Sequence, residues 1–126
     1  MSFDVFFQRF QDGHAAAGGG RLVREVLEPH VIRESSDGTF LEVVCGGGSA
    51  DVYLGDDHMM VNRANGTEVW QLLVDGAVAA GWVILPVGCP TCITDDAQRQ
   101  HLPEGLRQEV ALVASGAELL VVMRDS

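Results

Sequence analysis

The chain has 126 residues, a length that predicts one domain over residues 1–126 with a core of its own. It carries 18 acidic residues against 8 basic ones, for a formal net charge of -10, and 47% of its residues are hydrophobic. This composition excludes a disordered chain. The negative charge argues against nucleic acid or an anionic membrane as a partner, because like charges repel.

The first third of the chain predicts one strand and one helix. An aromatic and β-branched run over residues 3–10 predicts the strand. Residues 12–20 are small and glycine-rich and are predicted to form a loop that begins to wind into a helix at its alanines. Apolar residues over 22–27 then recur at helical spacing, and Pro29 ends this helix near Glu28.

The middle of the chain predicts three consecutive antiparallel strands. They cover residues 39–45, 50–54 and 58–63, and each has the β-rich composition of a strand. A run of three glycines over 46–48 joins the first pair, and Asp56-Asp57 forms the second tight turn. Such a meander places neighbouring strands side by side in one sheet.

A second helix is predicted over residues 67–81. Thr67 is suited to cap its start and Gly81 to cap its end. Its apolar stripe has a period of 3.6 residues and consists of Val69, Trp70, Leu73, Val74, Ala77 and Val78. Residues 82–87 follow as a strand that is apolar on both alternations, which predicts a strand covered on both faces with Pro86 at its end.

Residues 76–94 carry no charge and approach the length of a membrane span. Two glycines and two prolines interrupt this run, at Gly81, Pro86, Gly88 and Pro90. The interruptions favour a helix end, a buried strand and a loop over a transmembrane helix.

The last third of the chain predicts a loop, a short polar helix and a hairpin. The loop covers residues 89–92 and the helix residues 94–101. Strands over 108–114 and 117–123 are joined by a two-residue turn at Ser115-Gly116. The whole order predicts an α+β fold, a single layer of mixed, mostly antiparallel sheet with two main helices on one face.

The motif Cys89-Pro90-Thr91-Cys92 is the sharpest chemical signal in the chain. Two thiols at this spacing form a disulfide or bind a soft metal, and the helix predicted after them would lower a thiol pKa. The motif resembles the active-site turn of the thioredoxin and glutaredoxin superfamily. The resemblance covers only this turn, because 34 residues follow Cys92 and end in a predicted hairpin.

Three interpretations of these cysteines stay open. The first is a structural loop with incidental thiols, and it requires no cofactor. The second is a redox pair in which Cys89 attacks and Cys92 resolves. The third is a zinc site that uses Cys89, Cys92 and His101, with Cys45 as a distant fourth ligand or with completion across a dimer.

Two further groups have a chemical and a simpler interpretation, and the simpler one is favoured for both. His58 after Asp56-Asp57 would suit a cation or acid–base chemistry, but a solvated hairpin tip explains the same residues with fewer assumptions. The glycines over 18–20 precede a helix and would suit an anion, but a flexible loop is the favoured interpretation. No spacing in the chain assembles a nucleophile, a base and oxyanion donors, so we predict no catalytic residues.

Three segments carry a resemblance to known proteins. They are Ser2-Phe3-Asp4-Val5-Phe6-Phe7-Gln8-Arg9-Phe10, residues 67–88, and residues 98–106 with His101-Leu102-Pro103-Glu104. Together they resemble small bacterial proteins from high-GC genomes that have no established activity. The small acidic α+β form is also similar, at fold level, to immunity proteins of bacterial toxin systems.

These observations predict a cytoplasmic protein that acts by binding a basic protein partner. The N-terminus lacks the basic and apolar regions of a signal peptide, and three cysteines are an odd number for a disulfide framework. The hairpin predicted over residues 108–123 would leave an apolar edge, which predicts a homodimer.

Overall fold

The fold is α+β, as predicted, with helices packed on an open and mostly antiparallel sheet. A computed structural model describes residues 4–126. Its strands are β1 (Val5–Gln11), β2 (His14–Ala16), β3 (Val31–Glu34), β4 (Phe40–Cys45), β5 (Gly48–Leu54), β6 (His58–Asn65), β7 (Val83–Pro86), β8 (Thr91–Ile93) and β9 (Val110–Leu112). Its α-helices are α1 (Gly20–Leu27), α2 (Thr67–Ala80) and α3 (Gly116–Arg124), and 3₁₀ turns cover Glu28–His30, Asp96–His101 and Glu104–Leu106.

The strands lie in the order β3-β4-β5-β6-β1-β7-β8-β9, and β2 pairs with β1 outside this path. Strand β1 is therefore central, between β6 and β7, and is antiparallel to both. The pairing of β8 with β9 is parallel. The first strand of the chain thus joins the meander β4-β5-β6 to the C-terminal half of the sheet.

Two cores form, one on each face of the sheet. The main core lies between the sheet and the three α-helices, and its largest buried side chains include Phe7, Trp70 and Trp82. A smaller core lies on the opposite face, where Leu102 covers Val83 and Ile93. On this second face the 3₁₀ segment Asp96–His101 contacts β1 and β8, and no α-helix among residues 4–126 packs on it. We call the rest of this face, on β4, β5, β6 and β1, the open face.

Three predicted elements are confirmed. The meander β4-β5-β6 forms with antiparallel register throughout. Strand β7 has Ile84 in the main core and Val83 in the smaller one, so both of its faces are covered and Pro86 ends it. Helix α2 ends at Gly81, whose φ of 69° is the left-handed conformation that favours glycine.

Two details of α2 differ from the prediction. Gly66, and not Thr67, occupies the capping position before the first turn. Val78 is 58% exposed and does not belong to the buried stripe. Its place beyond the edge of the helix–sheet contact makes it a surface residue of α2.

The segment after β1 is a hairpin and not the predicted loop. Strand β2 pairs with β1 in the register Gln11↔His14, across a turn of Asp12 and Gly13. Their φ angles are 51° and 83°, and positive values at both positions are what a two-residue type I′ turn requires. The Asp-Gly pair is the sequence signal for this turn, and the alanine run after it does not become helical.

The predicted C-terminal hairpin is wrong, because its second half is helix α3. The Ser115 hydroxyl accepts a hydrogen bond from the Glu118 amide at 3.1 Å, and the Glu118 carboxylate accepts one from the Ala114 amide at 2.9 Å. This pattern of serine followed three residues later by glutamate is a helix start. Leu119 and Met123 then bury against the main core, so three α-helices, and not two, cover that face.

Strand β3 at the edge of the sheet was not predicted. It pairs with β4, and its register shifts between Val31 and Arg33. The bulged residue, Ile32, is 63% exposed. A bulge next to charged residues is a common way to prevent an edge strand from pairing with another chain.

Candidate binding surface

The buried thiol of Cys92 belongs to the main core. Residue 92 lies in β8, not in a loop, and its side chain is fully buried. Burial, with a smaller contribution from the nearby Cys89 thiol, raises the pKa of Cys92 to about 12. The prediction that a following helix would lower a thiol pKa is therefore wrong for Cys92, which is protonated at neutral pH.

His101 holds the β1–β2 turn. Its Nδ1 accepts a hydrogen bond from the Asp12 amide at 3.2 Å, and its carbonyl oxygen accepts one from the Gly13 amide at 3.0 Å. Both amides would otherwise lack a protein partner, since a type I′ turn leaves them outside the strand ladder. The imidazole of His101 thus links the 3₁₀ segment to the central strand pair.

The structure brings the two predicted cysteines near each other but sets His101 apart. Cys89 lines a surface cleft and also packs against the main core in which Cys92 is buried, whereas His101 lies at the β1–β2 turn. Over residues 4–126, no three His, Cys, Asp or Glu side chains come together as a group able to hold a metal ion. Cys45 is free and partly buried at the end of β4.

The glycines at 18–20 connect β2 to α1, and the amides of two of them are hydrogen-bonded to the β5–β6 turn. The Asp57 carboxylate accepts a hydrogen bond from the Gly18 amide at 2.6 Å, and the Asp56 carbonyl accepts one from the Gly20 amide at 2.9 Å. The amides that would cradle an anion are therefore occupied by the β5–β6 turn. This turn is exposed, as predicted for a hairpin tip, and it also caps the start of α1.

Apolar side chains cross the open face in a line. Successive strand registers pair Phe40 with Tyr53, Tyr53 with Met60, and Met60 with Phe6, and Phe6 pairs in turn with Leu85. Each of the five residues comes from a different strand, in the order β4, β5, β6, β1 and β7. We call these five residues the apolar row.

The apolar row is partly open to solvent. Phe6 is 44% exposed and Tyr53 is 42% exposed, and Met60 between them is half-buried. The rings of Phe40 and Tyr53 lie 5.2 Å apart at an angle of 55°, and the Arg33 guanidinium lies 5.6 Å from the Phe40 ring. Exposed aromatic side chains in such a row are characteristic of protein–protein contact sites.

A polar strip runs beside the apolar row on the same face. Glu42 pairs with Asp51 across β4 and β5, and Asp51 pairs with Asn62 across β5 and β6. The Arg33 guanidinium lies 3.2 Å from Glu42, and that of Arg63 lies 4.0 Å from Asp51. The row is thus bordered by charged pairs, as the rim of an interface is.

The apolar row ends in a cleft of about 360 Å³ beside β7. Phe6 and Leu85 form the wall nearest the row, and Val87, Cys89 and Leu106 line the rest together with polar groups. The cleft lies where the open face meets the 3₁₀ segment that covers β7 and β8. We call it the Cys89 cleft.

Sequence reasoning missed the apolar row, although part of its signal was present. Tyr53 lies between the buried Val52 and Leu54, so β5 is apolar on both alternations at this point. Phe6 has the same position in β1. Aromatic residues on the solvent alternation of a strand indicate a second contact face, but their alignment across strands requires the registers of β1 with β6 and β7.

Most of the arginines bind groups within the chain. Seven of the eight bind carboxylates or backbone carbonyls of residues 4–126, namely Arg9, Arg21, Arg24, Arg33, Arg63, Arg99 and Arg107.

No helix among residues 4–126 is long and apolar enough to cross a bilayer. No family model, curated protein or solved structure matches the chain.

Proposed function

We propose that this chain is a non-catalytic, cytoplasmic binding protein that holds a basic protein partner against its open face. The observation that carries the proposal is the apolar row, which crosses the four strands of the open face and ends at Leu85 on β7. The free thiols of Cys45, Cys89 and Cys92 support a reducing compartment.

The charge balance supports a basic partner. The chain has a formal net charge of -10, and most of its arginines are engaged internally, whereas many carboxylates remain free to act on a partner. Opposite charge on the partner accelerates encounter and makes association sensitive to salt. The same repulsion between two copies of this chain opposes a homodimer.

The apolar row supplies the short-range part of binding. Aromatic and methionine side chains are enriched at interface centres, and aromatic rings bury much area at a small entropy cost. Tyr53 and Phe6 already stand exposed on rigid strands, so little ordering is needed on association.

A second candidate function is thiol–disulfide exchange or zinc binding at residues 89–92. The observation that favours it is the position of Cys89 in a surface cleft, close enough to Cys92 for its charge to affect that thiol's pKa. Full burial of Cys92 weighs against it, since a resolving thiol must reach the attacking sulfur. Native mass spectrometry for bound zinc and a measured reduction potential test this candidate.

The test of the binding function uses the immobilised protein and two charge-matched variants. Tyr53→Lys places a cation in the apolar row, and Val78→Lys makes the same change on the exposed side of α2, on the opposite face. The proposal expects a partner, identified as basic by mass spectrometry, that wild type and Val78→Lys capture at low salt and Tyr53→Lys does not.

Two outcomes would overturn this function. One is capture of no specific partner at low salt, and the other is a partner captured equally by both variants. The other candidate occupant of the open face is a second copy of this chain, and analytical ultracentrifugation of the protein alone tests for it. A dimer that Tyr53→Lys dissociates would assign the open face to that second copy.

A further inference from the structure

We infer that the Cys89 cleft is the anchor site of the open face and accepts one apolar side chain that is flanked by lysine or arginine in the partner. This inference rests on the proposed function and names the part of the partner that the surface recognises. It follows from the lining of the cleft, from its position and from the charges beside it.

The lining of the cleft is mainly apolar. Phe6, Leu85, Val87 and Leu106 contribute hydrocarbon surface, and Cys89 contributes a small, polarisable thiol. A volume of about 360 Å³ lies at the small end of ligand-sized clefts. It suits a single leucine, methionine or phenylalanine side chain together with the backbone that carries it.

The position of the cleft makes it continuous with the apolar row. Phe6 and Leu85 belong to both, so an anchor seated in the cleft brings its neighbours over Phe6 and Met60. Interfaces are commonly organised in this way, with one side chain in a pocket and a flatter apolar area beside it.

Two carboxylate residues adjoin the lining of the cleft. Asp4 accepts a hydrogen bond through its carbonyl oxygen from the amide of Val87, a lining residue, at 3.1 Å. Glu104 lies two residues before Leu106 in the same 3₁₀ turn. Both side chains are exposed, and neither forms an ion pair with another of the described residues.

Arg107 is the basic residue nearest to the cleft in sequence, and its side chain binds backbone carbonyl oxygens. The Arg107 guanidinium donates to the carbonyl oxygens of Leu102 at 2.8 Å and Gln100 at 3.3 Å. It therefore closes the preceding 3₁₀ segment and does not pair with Glu104. An apolar cleft with carboxylates beside it selects an apolar residue with cationic neighbours.

The experiment uses three synthetic peptides as probes, followed by amide NMR of the isotope-labelled protein. The first peptide places phenylalanine among lysines and arginines, the second replaces that phenylalanine with serine, and the third replaces the basic residues with glutamates. We expect the first peptide alone to shift the amide resonances of Leu85, Val87 and Cys89, with an affinity that falls as salt is raised. Resonances of α2 serve as the internal reference.

Two changes to the protein test the same site. Asp4→Lys should weaken binding of the first peptide severalfold, whereas Asp75→Lys, the same change on α2 of the opposite face, should leave it unchanged. Filling the cleft by Cys89→Trp should abolish binding. If that variant fails to fold, alkylation of Cys89 in a folded Cys45→Ala protein provides the same obstruction.

The outcomes separate this inference from the proposed function. Equal shifts with the phenylalanine and serine peptides, or shifts confined to other surfaces, would overturn the anchor site. If the open face still captures a basic partner in a manner that depends on Tyr53, the proposed function stands without it. Binding of the first peptide that Asp4→Lys weakens and Cys89→Trp removes would support the anchor site by itself.

Discussion

The indole Nε1 of Trp82 donates a hydrogen bond to the carbonyl oxygen of Gly18, 3.0 Å away. The same indole packs directly against the next residue, since a Cβ added to Gly19 would lie 2.3 Å from its Nε1. Gly19 also has a φ of 106°, a left-handed conformation that side chains disfavour. This contact fixes the chain between β2 and α1 against the start of β7.

Gly19→Ala should therefore destabilise the protein strongly. We expect a loss of about 3 kcal/mol in the free energy of unfolding, from steric overlap with a fully buried tryptophan added to backbone strain. Gly18→Ala is the matched control, because its φ of 92° is similar but no atom lies within 4 Å of its added Cβ. That control should lose only about 1 kcal/mol, the cost of the left-handed backbone. Urea unfolding measures both, and equal losses would refute the contact.

His101→Ala should loosen the β1–β2 hairpin. The change removes the acceptor of the Asp12 amide, and we expect a loss of about 1 kcal/mol in the free energy of unfolding. Faster hydrogen exchange at the Asp12 and Gly13 amides should accompany it. His14→Ala, at an exposed position in the same hairpin, is the control and should change neither quantity. A silent His101→Ala variant would contradict the structural role.

Asp37 should titrate at unusually low pH. The Ser35 hydroxyl and then the Thr39 amide bond to its carboxylate and lower its pKa to about 2. Because the folded pKa lies below the unfolded one, Asp37 stabilises the protein above the unfolded value near 3.8, and this contribution disappears as pH falls towards 2. Carbon-detected NMR measures the titration, and a midpoint near 4 would contradict the hydrogen bonds at this turn.

Cys92 should resist alkylation in the folded protein. Burial raises its pKa to about 12, so both access and the thiolate form are lacking at neutral pH. Iodoacetamide followed by peptide mass mapping should modify Cys89 first, and Cys92 only after unfolding in urea. Modification of Cys92 at a rate equal to that of Cys89 would show that the β8 region opens.

The same thiol predicts an alkaline loss of stability. A thiol whose pKa is raised in the folded state retains its proton while the unfolded chain ionises, so stability falls as pH rises from about 9 towards 12. Cys92→Ala should remove this part of the pH dependence. An unchanged alkaline slope in Cys92→Ala would show that other groups cause it.

Helix α2 and the meander were predictable because their signals are local. The stripe from Val69 to Ala77 has helical period, and tight turns separate the meander strands. At Ser115 a hairpin signal and a helix-start signal compete, and the predicted hairpin does not form. Ser115 starts a helix because Glu118 completes its cap and Leu119 finds a place in the core, and these contacts outweigh the hairpin signal of Ser115-Gly116.

The apolar row and the Cys89 cleft could not be predicted from the sequence, for a different reason. Phe6 and Tyr53 are 47 positions apart in the sequence and become near neighbours only because β1 inserts between β6 and β7. Cys89 was identified from its motif, yet the apolar walls of its cleft come from β1, β7 and the 3₁₀ turn at Leu106. Such groupings depend on strand order, which one chain's local pattern does not encode.

Methyl-resolved NMR of the protein in complex with its captured partner shows directly whether the partner binds at the open face. Binding at the open face should shift the methyl resonances of Met60 and Leu85 and leave those of Val78 and Val121, on α2 and α3, unchanged. Shifts at Val78 and Val121 with none at Met60 and Leu85 would place the partner on the helices and contradict the account.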